Sequence, residues 1–317
     1  MSSTRLHYTR LTAGRAQSGG ASDVSLATAY DYHMNNVKTV ALLGFLTALV
    51  VLVAEWNDLG LATGLGFAAV LNLAVYFFSD KLALAASRAK PVDEHELPHV
   101  YSTVRSLTTR MGMPMPRIYV INSPQPNAFA TGRSPRKAAV AVTTGILEIL
   151  DHDELEGVLG HELAHVANRD ILISSIAAML AAALSIFARM AFWFGGGSRD
   201  RNNPIAGVVA ILSLILAPIA AVLIRLAISR AREYQADVSG ATMTGRPLKL
   251  ASALEKIGRG TAQVPMNVNP AVSQLFIDNP LKALRGRGLM TLMSTHPPVE
   301  ERIRRLSEMA SRGPVSR

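Results

Sequence analysis

Residues 157–165 read Gly-Val-Leu-Gly-His-Glu-Leu-Ala-His, and the last five, His161-Glu-Leu-Ala-His165, decide the fold. On a helix, residues four apart lie one above the other on a single face, so both imidazoles reach one metal ion. Glu162 projects beside them, placed to take a proton from a water at such an ion. The flanks favour a helix. Asp151 followed by Glu154 matches a capping box with an acidic first turn. Leu155, Val158, Leu159, Glu162 and Val166 recur at helical spacing, which sets the two His beside an apolar stripe. The pentapeptide also fits a solvated face with scattered His and Glu, so the rest of the chain has to decide.

A catalytic zinc takes three protein ligands and leaves one position for water, which makes two His an incomplete set. Residues 229–237, Ser-Arg-Ala-Arg-Glu-Tyr-Gln-Ala-Asp, bring Glu233 and Asp237, again four apart in a predicted helix. Glu233 can bind the metal. Asp237 can accept a hydrogen bond from the non-ligating nitrogen of a ligand His. Alone, the segment reads more readily as a charged face with Arg230, Arg232, Glu233 and Asp237 solvated together.

Composition points to a membrane. Of 317 residues, 49% are hydrophobic, and they gather in blocks. Runs 39–54 and 59–78 are separated by Glu55-Trp-Asn-Asp58; run 171–194 is interrupted by Arg189, and run 205–224 carries Pro218, a kink. Each is close to the ~20 residues that cross a bilayer. Arg189 would reach for the interface, where Phe192, Trp193 and Phe194 form an aromatic belt. The third and fourth runs also fit a hairpin that enters the bilayer only partly. Lys38 precedes the first run, Lys81, Arg88 and Lys90 follow the second, and Arg225, Arg230 and Arg232 follow the fourth. The first connecting loop has no Lys or Arg, so both termini and the motif-bearing segments are expected in the cytoplasm. The net charge of +9 reflects this flank bias and an attraction to anionic headgroups. Its cations are dispersed and not interleaved with aromatics, which argues against nucleic acid. No cysteine is present, so there is no disulfide framework.

The expected order is a polar tail over 1–36, two transmembrane helices over 37–79, the first part of a soluble domain over 80–170, a transmembrane hairpin over 171–226, and its second part over 227–317. The first 33 residues lack a secretory signal and read as a disordered tail, with Met34 an alternative start. Within the soluble part, Leu97, Val100, Val104, Leu107 and Met111 predict an amphipathic helix over 96–112. Strands are predicted over 117–121, 125–131 and 137–143, the last two joined by a turn near Gly132 to Pro135. His296 precedes Pro297-Pro298, a good helix start, and can act there as a capping residue.

Several motifs, in one order, resemble the HtpX-type membrane zinc metalloproteases, gluzincins related to the CAAX prenyl proteases. They are Met34-Asn-Asn-Val-Lys-Thr39, Pro126-Asn-Ala-Phe-Ala-Thr-Gly132, residues 157–165, Ala231-Arg-Glu-Tyr-Gln-Ala-Asp237, and Ser294-Thr-His-Pro-Pro-Val-Glu-Glu-Arg302. The resemblance implies an α-helical integral membrane protein with about four transmembrane helices and a cytoplasmic α+β gluzincin-like zinc protease domain. It would sit in the inner (plasma) membrane with its active site facing the cytoplasm. His161, His165 and Glu233 are implied as ligands of one zinc ion, Glu162 as general base, and Asp237 as the group that orients a ligand His. Asn127, Ala128, Phe129 and Ala130 are implied to hold an extended peptide, although Asn127 also reads as a turn residue after Pro126. His296 is implied near the oxyanion, with Tyr234 a second donor. The implied substrates are proteins or peptides, chiefly damaged membrane proteins. A processing peptidase for one membrane or lipidated peptide is the alternative. A scaffold that merely keeps zinc would have no need of Glu162.

Overall fold

The structure, a computed structural model, describes residues 20–56, 58–180, 230–269, 272–283 and 297–312. Helix α1 (Gly20–Trp56) and helix α2 (Leu61–Ala86) fold back on each other through a turn with Asp58 and Gly60 at positive φ. At Gly64 a side chain would sit 2.9 Å from Ala54 Cβ, so the glycine lets the pair close up. Across it, Asn72 Nδ2 donates to Thr47 Oγ1 at 2.7 Å. The disordered tail is corrected over residues 20–33, which are the first turns of α1. Nothing after Gly20 breaks the helix there, since the segment has no proline or further glycine and extends a helix already nucleated downstream. Among the described residues α2 by itself is long and apolar enough to cross a membrane; Asn36–Leu52 is apolar but shorter.

The chain then builds a four-stranded sheet from β1 (Lys90–Pro91), β2 (Arg117–Ile121), β3 (Ala128–Thr131) and β4 (Ala139–Thr143), with α3 (Pro98–Met111) between β1 and β2. Strand order is β1-β2-β4-β3: β2 and β4 run parallel, while β1 and β3 lie antiparallel at the two edges. The predicted strands over 125–131 and 137–143 are shorter by a few residues. Residues 125–127 are taken up by side-chain bonds, and Pro135–Lys137 forms a 3-10 turn.

After α4 (Thr144–Ile149), Asp151 caps α5 (His152–Ala167) as its sequence predicts. Its side chain accepts from the Glu154 N–H at 2.8 Å, and the Glu154 carboxylate accepts from the Asp151 N–H at 2.9 Å. Arg169, at φ 59°, marks a sharp bend into α6 (Asp170–Leu180), whose axis turns by 87°. Ile173, Ile176 and Leu180 of α6 pack on Leu42 and Leu46 of α1 and on Val75 of α2. The main core joins α3, α5 and the sheet to α7 (Arg230–Thr244), α8 (Pro247–Gln263) and α9 (Val299–Ser311), through Val104, Val140, Leu159, Ala241, Leu250 and Leu306. The rest of the third apolar run, the fourth run and His296 lie outside the described residues.

Candidate metal centre

Helices α5 and α7 cross where two glycines meet. A side chain at Gly240 would lie 2.7 Å from the His161 backbone nitrogen, so the absence of one lets the helices touch. Glu233 and Asp237 lie two turns and one turn before that contact, on the face turned to α5. This crossing brings together residues separated by the whole of the third and fourth apolar runs.

His161 Nε2 and His165 Nε2 are 3.2 Å apart. Glu233 closes the triangle, Oε1 at 3.5 Å from His165 Nε2 and Oε2 at 3.8 Å from His161 Nε2. Donors about 2.0–2.1 Å from a tetrahedral ion are separated by roughly 3.3–3.4 Å, so this donor set fits zinc. The far side of each ring supports the fit. His161 Nδ1 lies 2.9 Å from Asp237 Oδ1, and His165 Nδ1 lies 3.2 Å from Asp170 Oδ2. With Nδ1–H donating to a carboxylate, each Nε2 keeps its lone pair turned to its neighbours.

Burial and charge tune the groups. His161, Glu162, Asp170, Glu233 and Asp237 are all buried. Burial alone would push the His165 imidazole down, but Glu233 and the Asp170 hydrogen bond outweigh it and hold it at about 9. The same carboxylates that favour a proton there favour a metal cation. Burial pushes the Glu162 carboxyl up, against the pull of His161 and His165 and a hydrogen bond from the Ala130 N–H. Burial would also raise Asp237, yet Arg302 overrides it and brings Asp237 to about 2. Arg302 is 0% exposed, the largest fully buried side chain among the described residues. Its Nε and Nη2 donate to the two Asp237 oxygens at 2.8 and 2.7 Å, and its Nη1 donates to the Ile277 carbonyl at 3.1 Å.

A cleft opens over this cluster, lined by Ala130 of β3, Ile171 and Ser174 of α6, and residues 274–277. The edge of β3 is partly taken. The Ile277 N–H donates to the Ala128 carbonyl at 2.9 Å, and the Phe276 ring meets Phe129 edge-on with centroids 4.9 Å apart. Asn127 is fully buried: its Nδ2 donates to the Asp278 carbonyl at 2.8 Å, and its Oδ1 accepts from the Asp278 N–H at 3.3 Å. Its amide therefore anchors the 276–278 segment and is not turned to the cleft. Tyr234 is half-buried beneath the Arg305 guanidinium, 3.8 Å from its ring centroid, and does not line the cleft.

Two residues escaped sequence reasoning. Asp170 lies five positions after His165, a spacing that is no helical pair; only the bend at Arg169 returns it to the ring. Arg302 lies within the Ser294–Arg302 motif, but α9 is remote in sequence from α5 and α7, so no spacing links them.

Residues 94–310 match Peptidase family M48. A "Protease HtpX homolog" of Burkholderia multivorans is 50% identical over 288 residues, which covers 88% of this chain and 98% of that protein. One from Pelotomaculum thermopropionicum is 48% identical over 283 residues, covering 87% and 100%. The crystal structure of S. mikatae Ste24p superposes with a TM-score of 0.47 at 20% identity, covering 88% of this chain and 67% of that one.

Proposed function

This chain belongs to peptidase family M48 and is a membrane metalloprotease, and from that premise we propose a zinc-dependent endopeptidase with the ion held by His161, His165 and Glu233. The observation that carries this reading is the convergence of the two Nε2 atoms and the Glu233 carboxylate, with their donor atoms within 4.8 Å of one another. When bound, zinc supplies Lewis acidity, lowering the pKa of a water and polarising a peptide carbonyl.

The chain's own groups do the rest. Glu162 takes a proton from the attacking water and delivers it to the leaving amine, and its raised pKa suits both roles. Asp237 and Asp170 fix the tautomers of His161 and His165, and Arg302 keeps Asp237 ionised and in place. An extended peptide adds to the β3 edge at the Ala130 carbonyl, beyond the bond that Ile277 makes to Ala128 and beside the Ala130 N–H that donates to Glu162. Asn127 supports that edge through Asp278, with Ala128 and Phe129 packed behind it. His296 is assigned to the oxyanion by resemblance alone.

The α1–α2 pair and α6 are read as membrane helices, with the fourth run completing about four spans and the protease domain in the cytoplasm. Phe67, Val70 and Leu73 of α2 point outward, as a lipid-facing surface requires. The substrates are then proteins of the bilayer in which the chain sits, and a plasma-membrane enzyme for damaged membrane proteins follows. The test is zinc content and casein cleavage on detergent-purified protein. Glu162→Gln should keep stoichiometric zinc and lose turnover by about 10²–10⁴-fold, while His161→Ala or Glu233→Ala should lose zinc. Cleavage by Glu162→Gln at the wild-type rate would refute the assignment. A single accumulated membrane substrate in cells without the gene would favour the processing alternative.

A further inference from the structure

The charged surface of the protease domain is uneven. On α3, α8 and α9 exposed cations meet carboxylates, as in Arg105–Glu94, Lys249–Asp151 and Arg304–Glu301. Where the sheet meets the end of α2 the pattern changes. Lys81 and, in the turn between β3 and β4, Arg133, Arg136 and Lys137 face no carboxylate among the described residues. The one acid there, Asp80, is buried and already bonded to Arg117 at 2.7 Å.

These cations stand on an apolar footing. Arg133 Cζ lies 4.7 Å from the Phe77 ring centroid, and Lys81 Nζ lies 5.3 Å from that of Phe78. Both rings are nearly half exposed, at 46% and 49%. Lys137 is tied to the same place, since Arg117 bridges Asp80 and the Lys137 carbonyl. From Leu61, Lys81 lies about 30 Å along α2 at ~1.5 Å per residue, the thickness of a bilayer's hydrocarbon core. Exposed aromatic rings with unpaired cations above them, one core thickness along an apolar helix, match the level of lipid phosphates.

We propose that the β3–β4 turn, with Lys81, is a binding surface for the headgroups of anionic phospholipids. The inference rests on reading α2 as a membrane span. Its consequence is local: the turn continues directly from β3, so lipid contact would hold the edge at Ala130 against the bilayer surface where membrane substrates emerge.

The test uses the full chain in phosphatidylcholine vesicles carrying a trace of spin-labelled phosphatidylglycerol or spin-labelled phosphatidylcholine. The motionally restricted fraction of each label measures relative affinity. Wild type should prefer phosphatidylglycerol about fivefold or more, the scale of one desolvated cation, and high salt should reduce that preference. R133Q/R136Q/K137Q should bring the ratio near one, and R133K/R136K should keep it. If the triple variant does not fold, R136Q alone, at an exposed position, should lower the ratio measurably. No preference in wild type, or full preference in the folded glutamine variants, overturns the proposal. Displacement of the lipid by millimolar inorganic phosphate would make this a free-anion site and also overturn it. Alkaline carbonate extraction of the same vesicles reads the span separately, because a chain without one would be released.

Discussion

Replacing Gly240 by alanine tests whether the α5–α7 crossing builds the metal centre. The new Cβ would lie 2.7 Å from the His161 nitrogen, 3.0 Å from the Gly160 carbonyl carbon and 3.1 Å from His161 Cα, all backbone atoms. None can rotate away, so α7 must recede by about 0.7 Å to restore an ordinary contact. Glu233 and Asp237 recede with it. Overpacking of this kind costs about 1–3 kcal/mol, while alanine for a helical glycine returns up to ~1 kcal/mol. Gly160→Ala separates the two effects. Its Cβ would lie 3.4 Å from Gly240 Cα, an ordinary contact, so it keeps the propensity gain without the clash. The two variants should thus differ in zinc affinity by about fivefold to 150-fold, the binding equivalent of ~1–3 kcal/mol. Competition against a zinc chelator, with thermal midpoints of the metal-free proteins, measures the difference. Equal zinc affinity in Gly240→Ala and Gly160→Ala would refute the view that this contact sets the register of Glu233 against the two His.

Other outcomes follow from the supporting groups. Asp170→Asn should weaken zinc binding by about 10–100-fold without loss of helical circular dichroism, because His165 loses its charged partner. Arg302→Met should instead lower stability by about 3–5 kcal/mol in denaturant titration, since it strands Asp237 as a buried, unpaired charge. Arg302→Lys should recover only part, as an ammonium cannot bond both oxygens in parallel. The Glu154 carboxyl, which burial alone would raise, is held below its ordinary 4.5 by hydrogen bonds from Lys256, Ser252 and the Asp151 N–H. A carboxyl depressed in the folded state stabilises above its unfolded value and loses that contribution as pH falls through the folded one. Stability should therefore decline below about pH 4.5, more gently in Glu154→Gln, as acid melting curves would report.

How much could be read in advance depended on the reach of each interaction. The capping box at Asp151 and Glu154 spans three residues, and His161 with His165 spans one turn, so the helix and the pairing of the two His on one face were legible from spacing. Strand β2 appears with its predicted bounds because a run of branched and aromatic residues between prolines is a local signal. Asn127 was expected to bond a peptide or to sit in a turn, and the partner its amide takes in the fold was not legible. A buried amide bonds wherever the fold brings a complementary group, and here that group is the Asp278 backbone. The turns of α1 before Lys38 were missed because a polar segment carries no apolar stripe, although helix can extend through it.

By itself the sequence determined the chemistry available: which donors exist, which pairs share a helical face, and which runs are apolar enough for lipid. Local hydrogen bonding and hydrophobic periodicity act over a few residues, so they are written in the order of the chain. Only the tertiary structure decided that Glu233 closes on His161 and His165, that Asp170 rather than another acid holds His165, and that Arg302 from the last helix secures Asp237. Apart from the bend that returns Asp170, those contacts cross 65 residues from Asp237 to Arg302, 68 from His165 to Glu233 and 72 from His161 to Glu233. They arise because the missing side chain at Gly240 lets α5 and α7 touch and because a buried charge is stable only where packing delivers its counter-charge.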